Sequence, residues 1–387
     1  MYIKNLALTN FRNFTDVEEI TFPENSFLVA AAPNATGKTN FLEAMTMLLR
    51  GKSFRASAEE CVRWGEESFL VRGQVVSQAG EASIAVRYYL PSKKIRIEEN
   101  SVPASPVTFF AHYPFVLFLP EDTFLFSRGP ALRRNFLNHI LLSAPTYLAA
   151  LVQYHRALKQ RNALLKTARS FADVEAWTQL LIEHSVMIWK QREGFVNYLN
   201  THLSEVYTLF AGEECELQAR LVMSSSSEQY PVNLQQSFTQ EQRYGYTIHG
   251  PHRDDLEVTS KDRPLRAALS QGQLRSAVLA LKITAWRFLS TTLQEQPLLL
   301  LDEALSELDH ERQGRLLKNL PPAQTLLTCT TIPPILEQRD NVHLLDLRSI
   351  AAPEEDLSWR DSPEQAEGPG ELSVEDEVAE TVSTPVY

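Results

Sequence analysis

VAAAPNATGKTN, residues 29–40, runs from an apolar stretch through a short polar loop into Gly37, Lys38 and Thr39. The pattern G-x-x-x-x-G-K-[ST] describes a phosphate-binding loop; here only its first glycine is missing, with Ala32 in that place. Successive backbone N–H groups of such a loop point inward and wrap phosphates, and the following helix adds its positive end. The flanks suit this reading. FLVA (27–30) is a short apolar run of the kind a buried strand needs. Phe41, Met45, Leu48 and Leu49 fall on one helical stripe, which Gly51 ends. Strand, loop and helix are therefore predicted in succession. In that setting Ala32, Pro33, Asn34, Ala35, Thr36 and Gly37 line a phosphate site. Lys38 would reach the β and γ phosphates, and Thr39 would place its hydroxyl on Mg2+.

A second stretch supplies acids. PLLLLDE (297–303) is an apolar strand ending in Asp302 and Glu303. A carboxylate there can hold Mg2+, directly or through water. The next one can orient and deprotonate an attacking water. Asp302 thus reads as a metal ligand, with Glu303 and Lys38 as the catalytic groups. A third stretch, LSQGQLRS (269–276), opens a long amphipathic helix with Ser270, Gln271, Gly272 and Gln273. A hydroxyl and free N–H groups at a helix start make either a second anion site or an ordinary N-cap.

In this order the three stretches resemble the ABC-type ATPases. LSQGQ stands at the place of that family's signature, and ALSELDHER (304–312) looks like its D-loop, with Asp309. The resemblance implies two heads that sandwich ATP, each nucleotide touching the loop of one subunit and the signature serine of the other. Ser270 follows Thr39 by 231 positions. Transporter ATPases usually place fewer there, and the coiled coils of SMC proteins need far more. LTNFRNF (8–14) is similar to the opening of the RecF and SMC branch, which puts Arg12 and Asn13 near the nucleotide. GKSFRAS (51–57), GPALRRNFLN (129–138), ALKQRNALLK (157–166) and GPHRDDLEV (250–258) resemble segments of the RecF family, so that the likeness covers about residues 1–348.

What the resemblance implies is an α/β ABC-type (SMC/RecF-like) ATPase head with ATP and Mg2+ as cofactors. It implies an ATP-dependent homodimer with weak DNA-stimulated ATPase activity, acting in recombinational repair and replication on gapped or single-stranded DNA. RecO and RecR are the implied partners, and the task is placing recombinase on DNA. A RecF-like scaffold without useful turnover and, more remotely, a transporter-type ABC ATPase are the alternatives. Some positions depart from the family's pattern. Ala32 and Ala35 replace loop glycines, and alanine at a positive φ costs roughly 1–2 kcal/mol. Asn138 stands where the family has aspartate. No histidine after TLLTCT (325–330) offers a γ-phosphate switch, which leaves Thr328 or Thr330.

Charge is divided unevenly. Residues 351–387 hold eleven acids against the single base Arg360, while the other 350 residues carry 37 acids and 36 bases. The body is therefore nearly neutral and free to present a basic face. Lys52, Arg55, Arg133, Arg134, Lys159 and Arg161 are the candidate contacts to DNA phosphates. The tail has four prolines and two aromatics. It has too little apolar surface to offset its ordering entropy and is predicted to be disordered, serving solubility or an interaction.

Between Pro130 and about Phe210 glycine nearly disappears and apolar residues recur at helical spacing. The predicted organisation is a head made from 1–120 and 214–350, an inserted all-helical arm at 121–213, and the acidic tail at 351–387. The four serines at 224–227 read as a mobile connection, and VHLLDL (342–347) as the last strand. His249, His252, Asp254 and Asp255 share a turn, where packing is a better reading than metal binding. Cys61, Cys215 and Cys329 lie far apart and support neither a disulfide framework nor a zinc site. No run approaches the ~18 apolar residues that span a bilayer, and MYIKNLALTNF lacks the features of a signal peptide. A cytoplasmic protein without a membrane partner is expected.

Overall fold

The computed structural model describes residues 1–105, 109, 111–306, 308–336 and 341–350. The segment 351–387, with the disorder expected of it, lies outside the described residues. In chain order the elements begin β1 (Tyr2–Phe11), β2 (Phe14–Thr21), β3 (Phe27–Ala31), α1 (Lys38–Arg50), β4 (Ser68–Ser77), β5 (Gly80–Tyr89), β6 (Lys94–Glu99), β7 (Val102–Pro103) and β8 (Phe115–Phe118). Next come α2 (Pro130–Leu141), α3 (Pro145–Leu165), α4 (Glu175–Ala211), β9 (Gln218–Val222), α5 (Tyr230–Gln236), α6 (Phe238–Tyr244), β10 (Asp255–Ser260), β11 (Arg263–Pro264) and α7 (Leu265–Ala268). The chain ends with α8 (Gln271–Leu293), β12 (Leu298–Leu301), α9 (His310–Asn319), β13 (Thr325–Cys329), β14 (Val342–Leu344) and α10 (Leu347–Ile350). They form two compact units: Met1–Pro120 with the described residues from Leu289 onward, and Glu121–Phe288.

The first unit holds two sheets. One is antiparallel, in the order β2-β1-β4-β5-β6-β7; the other is parallel, in the order β14-β3-β13-β12-β8. In β3, β8, β12 and β13 every residue except Ala31 is buried. That is why their sequences are unbroken apolar runs rather than alternating ones. Helix α1 touches strands of both sheets and buries eleven of its thirteen residues, as a helix covered on all sides must. Phe41 of α1 meets Phe14 edge-on at 6.1 Å, and Phe11 meets Phe69 at 5.2 Å. Gly51 ends the helix at φ 66°, a conformation that favours glycine. The strand expected over 342–347 stops at Leu344, and Leu347, fully buried, opens α10 instead. In the parallel sheet Ala31 pairs with Cys329 and Leu301 with Leu327, so β3, β13 and β12 end side by side. The crevice beyond such carboxyl ends is where parallel sheets bind ligands.

The second unit joins α2–α6 to the small sheet β11-β10-β9. Pro130 and Pro145 open α2 and α3, where their missing N–H costs nothing. Residues 214–288 had been grouped by sequence with the head; in the structure they pack with the helices. The β9 strand lies along α4, where the Asn200 amide bonds the backbone of Ala219 in both directions, at 3.0 and 2.7 Å. Two buried ion pairs add to this. Arg192 of α4 meets Asp254 at 2.8 Å, and Arg161 of α3 meets Glu241 of α6 at 2.7 Å. Asn138 accepts from Tyr147 (2.6 Å) and Arg192 (3.0 Å) through its amide oxygen, so the amide does an acceptor's work there. The serine run is not a loose connection: Ser224 exchanges hydrogen bonds with Gly250 (3.2 and 2.8 Å), and Ser225 is buried. No helix among the described residues is long and apolar enough to cross a membrane.

His252 shows why this unit resists protonation. Its Nε2 faces the Thr247 carbonyl at 3.0 Å and its Nδ1 faces the Tyr154 hydroxyl at 2.6 Å, which suits the neutral ring. Burial pushes His252 down to about 3 and His155 to about 4. In an unfolded chain both titrate near 6.5, so below that pH the unfolded state takes up protons that the native state refuses. Stability is then lost as pH falls from about 6.5 toward the depressed native values. Asp254, raised by burial to about 6, takes up a proton in the native state over the same range and offsets part of this; urea unfolding at about pH 5.5 is expected to give a free energy about 1–2 kcal/mol below that at about pH 7.5. A flat profile would contradict the neutral, buried histidines.

Candidate nucleotide site

The loop between β3 and α1 carries the first half of the site. Gly37 caps α1 at φ 98°, and a Cβ there would lie 2.5 Å from Asn13 Nδ2, so no larger residue fits. Asn13 in turn donates to the Thr36 carbonyl (3.3 Å) and accepts from Asn40 (2.7 Å). Thr36 closes the loop on the Pro33 carbonyl at 2.7 Å. The two alanines differ in consequence. Ala35 sits at φ 67°, which costs roughly 1–2 kcal/mol that glycine would avoid. Ala32 is not among the positive-φ residues; it is buried, with its N–H on the Cys329 carbonyl at 3.1 Å. The strain of the altered loop is therefore at Ala35. Pro33, Asn34 and Ala35 are exposed.

The strand ends bring the second half to it. Lys38, only 6% exposed, donates to the carbonyls of Ala32 (2.6 Å) and Pro33 (3.2 Å) and to Asn34 Oδ1 (3.4 Å). Its ammonium also lies 2.9 Å from Glu303 Oε1, a buried oxygen with no aligned hydrogen-bond donor. That contact is an ion pair without hydrogen-bond alignment. The Thr39 hydroxyl donates to Asp302 Oδ2 at 2.9 Å, although it lies 263 positions away in sequence. Thr328 of β13 donates to Asp302 Oδ1 (2.6 Å) and accepts the Glu303 N–H (3.0 Å). Burial raises the Asp302 pKa; the hydroxyls of Thr328 and Thr39 oppose that, and the Glu303 charge adds to it. Glu303 itself adopts φ 47°, an uncommon conformation for a glutamate. The sequence left Thr328 or Thr330 as a phosphate switch. Thr328 is fully buried and spends its hydroxyl on the two acids, whereas Thr330 is exposed.

Around this core lies a residue that the motifs did not single out. Glu43 of α1 is completely buried and takes a forked pair of 2.8 Å bonds from Arg12, together with Arg55 at 3.0 Å and Ser53 at 2.5 Å. Burial pushes its carboxyl up, but Arg12 and Arg55 outweigh that and hold it below the usual carboxylate range. An acid inside the apolar FLEAMTMLL was the only signal of it. Arg12 thus faces Glu43 and the Glu60 carbonyl (2.6 Å). Arg55 bonds Asn40 beside the loop. Asp309 caps α9 through the Arg312 N–H at 2.9 Å and is exposed.

In the second unit, Ser270 and Gln273 form a reciprocal cap at the start of α8: Gln273 N–H to Ser270 Oγ is 3.3 Å and Ser270 N–H to Gln273 Oε1 is 2.8 Å. Ser270 and Gln271 are exposed and Gly272 is half-buried. The arginines expected to touch DNA divide. Arg133 is tied to Asp255 by bonds of 2.7 and 2.8 Å, and Arg134 gives one bond, of 2.9 Å, to the Asp254 carbonyl. Lys52 and Lys159 are half-buried. Arg161 corrects the expectation: its side chain is 0% exposed and bonds Thr178, Thr247 and Glu241, so no DNA phosphate can reach it. The turn histidines and aspartates are likewise engaged, with His249 Nδ1 3.1 Å from the Ser224 carbonyl. Among the described residues no cluster of three His, Cys, Asp or Glu could hold a metal.

Residues 1–108 match the AAA domain family. The chain is 35% identical over 348 residues to the DNA replication and repair protein RecF of Ruminiclostridium cellulolyticum, covering 85% of this chain and 93% of that protein. It is 34% identical over 356 residues to the protein of the same name from Moorella thermoacetica, covering 89% and 94%. Among solved structures, the recombination mediator protein RecF with ATP, of the RecFOR pathway, matches with a TM-score of 0.80 and 30% identity, over 90% of this chain and 96% of that one. An Smc head bound to the C-winged helix domain of ScpA matches with a TM-score of 0.52 at 16% identity, covering 91% and 92%. The fold is that of the α/β ABC-type ATPase heads.

Proposed function

This chain belongs to the RecF family of DNA replication and repair proteins, and on that premise we propose that it is an ATP-gated DNA-binding head. The observation that carries the reading is the pairing of loop with strand end: Lys38 with Glu303 at 2.9 Å and Thr39 with Asp302 at 2.9 Å. A phosphate loop and two acids placed that close form one site. The loop N–H groups from Asn34 to Thr39 would hold the triphosphate, with Lys38 exchanging the Ala32 and Pro33 carbonyls for phosphate oxygens. Mg2+ fits Thr39 Oγ1 and Asp302, a hydroxyl and a carboxylate that are hard oxygen donors; bound there, it would neutralise phosphate charge. Glu303 accepts a proton from the attacking water, and Thr328 holds its backbone in place.

The exposed cap of α8 in a second copy, Ser270 to Gln273, completes the nucleotide's surroundings, so ATP joins two heads and hydrolysis parts them. The joined heads bind gapped or single-strand-junction DNA and act with RecO- and RecR-type partners in the cytoplasm. Sedimentation with millimolar Mg-ATP, with and without gapped duplex, tests this. The dimer is expected with ATP and is stabilised by the DNA. A monomer that retains no nucleotide overturns the reading. The strain at Ala35 favours a second reading, a scaffold that grips DNA and partners with little turnover; it shares the fold and differs in rate alone.

A further inference from the structure

Helix α6 ends in Tyr244, and Gly245 at φ 75° turns the chain so that Tyr246 comes back beside it. The two rings are stacked, with centroids 5.5 Å apart and planes within 19°. They are not core: Tyr244 is 54% exposed and Tyr246 42%. The Arg253 guanidinium lies 4.9 Å from the centre of the Tyr246 ring. Its turn starts at Gly250, at φ 129°, where a Cβ would lie 2.3 and 2.5 Å from the hydroxyls of Tyr154 and Tyr230. Lys166 passes 3.8 Å from the Cβ position of Gly245. Both Arg253 and Lys166 are exposed.

The charge around these rings is one-sided. The nearby acids are each neutralised by an arginine of their own: Asp254 by Arg192, Asp255 by Arg133 and Glu241 by Arg161. Arg253 and Lys166 make no ion pair among the described residues, and Arg134 keeps donors beyond its one bond to the Asp254 carbonyl. Burial, and after it the charges of Arg192 and Arg253, disfavour the Arg134 cation. Two partly exposed stacked rings beside cations without an ion pair suit a single nucleic-acid strand, since every base has a π-face and every linkage a negative charge. A duplex keeps its bases stacked inside and offers only phosphates.

We propose that the Tyr244–Tyr246 stack, flanked by Arg253 and Lys166, is a binding platform for single-stranded DNA. It rests on the DNA-binding reading above and specifies which strand form this unit takes. The test is fluorescence anisotropy of full-length protein, with and without millimolar Mg-ATP, on labelled oligo-dT and on blunt duplex of equal length. Tyr244→Ala with Tyr246→Ala is expected to weaken oligo-dT binding by about tenfold or more and to leave duplex binding unchanged. The Tyr→Phe pair keeps the π-faces and is expected to bind as the natural protein does. Arg253→Gln should weaken binding and flatten its salt dependence. Unchanged oligo-dT affinity in the alanine pair, an equal loss on both DNAs, or no oligo-dT binding by the natural protein overturns the platform. Failure of the ATP-gated reading is separate: it appears as loss of nucleotide-dependent dimerisation, measured by sedimentation without DNA.

Discussion

If the proposed site is right, Glu303→Gln is expected to lower ATP hydrolysis by about two to four orders of magnitude and to leave nucleotide-dependent dimerisation intact. Glutamine keeps the size of the side chain and its place after β12, where the backbone N–H still meets Thr328 Oγ1 at 3.0 Å. It loses the one property the reaction asks of Glu303, a carboxylate able to accept a water proton. It also removes the negative partner 2.9 Å from Lys38, freeing the ammonium for phosphate, so ATP is held at least as tightly. Phosphate release read against sedimentation separates these effects. Equal and negligible turnover in the natural protein and the variant would favour the scaffold reading. A variant that neither hydrolyses nor dimerises would place Glu303 in the binding of ATP.

Arg161→Ala destabilises the fold by about 3–5 kcal/mol, and whatever DNA binding it loses follows unfolding rather than a missing contact. Glu241 is as inaccessible as its partner, 0% exposed. Removing the guanidinium therefore leaves a buried carboxylate whose remaining support is the Ile248 N–H at 2.9 Å. Thr178 and Thr247 lose the arginine as a donor and keep their bonds to the Val174 carbonyl and Asn162. The double variant Arg161→Leu, Glu241→Leu is expected to recover most of the stability, since it removes both charges and fills the space. Urea midpoints of the two variants measure this. A stable Arg161→Ala that binds DNA weakly would restore the surface role expected from sequence.

Glu303 and Arg161 show where reading residues in order succeeds and where it fails. Helices and strands were legible because periodicity is local: α1 between Lys38 and Gly51, the helical spacing between Pro130 and Phe210, and the unbroken apolar runs of the parallel strands. The chemical groups of the nucleotide site were legible for the same reason. Loop lysine, threonine and terminal acids each announce themselves within a few neighbours.

Partnership was not legible. Glu43 looked like one acid in an apolar helix, yet it holds Arg12, Arg55 and Ser53. Arg161 looked like a surface charge, and the serine run looked loose. The grouping of 214–288 with the helices depends on Asn200 meeting Ala219, and on Arg192 meeting Asp254 62 positions on. Residue order thus specified the elements, the loop and the chemistry available to it. Which charges are buried, which are spent on one another and which face water depends on contacts between distant segments. Burial makes an unpaired charge expensive and a paired one tolerable, and only the folded chain assigns the pairs.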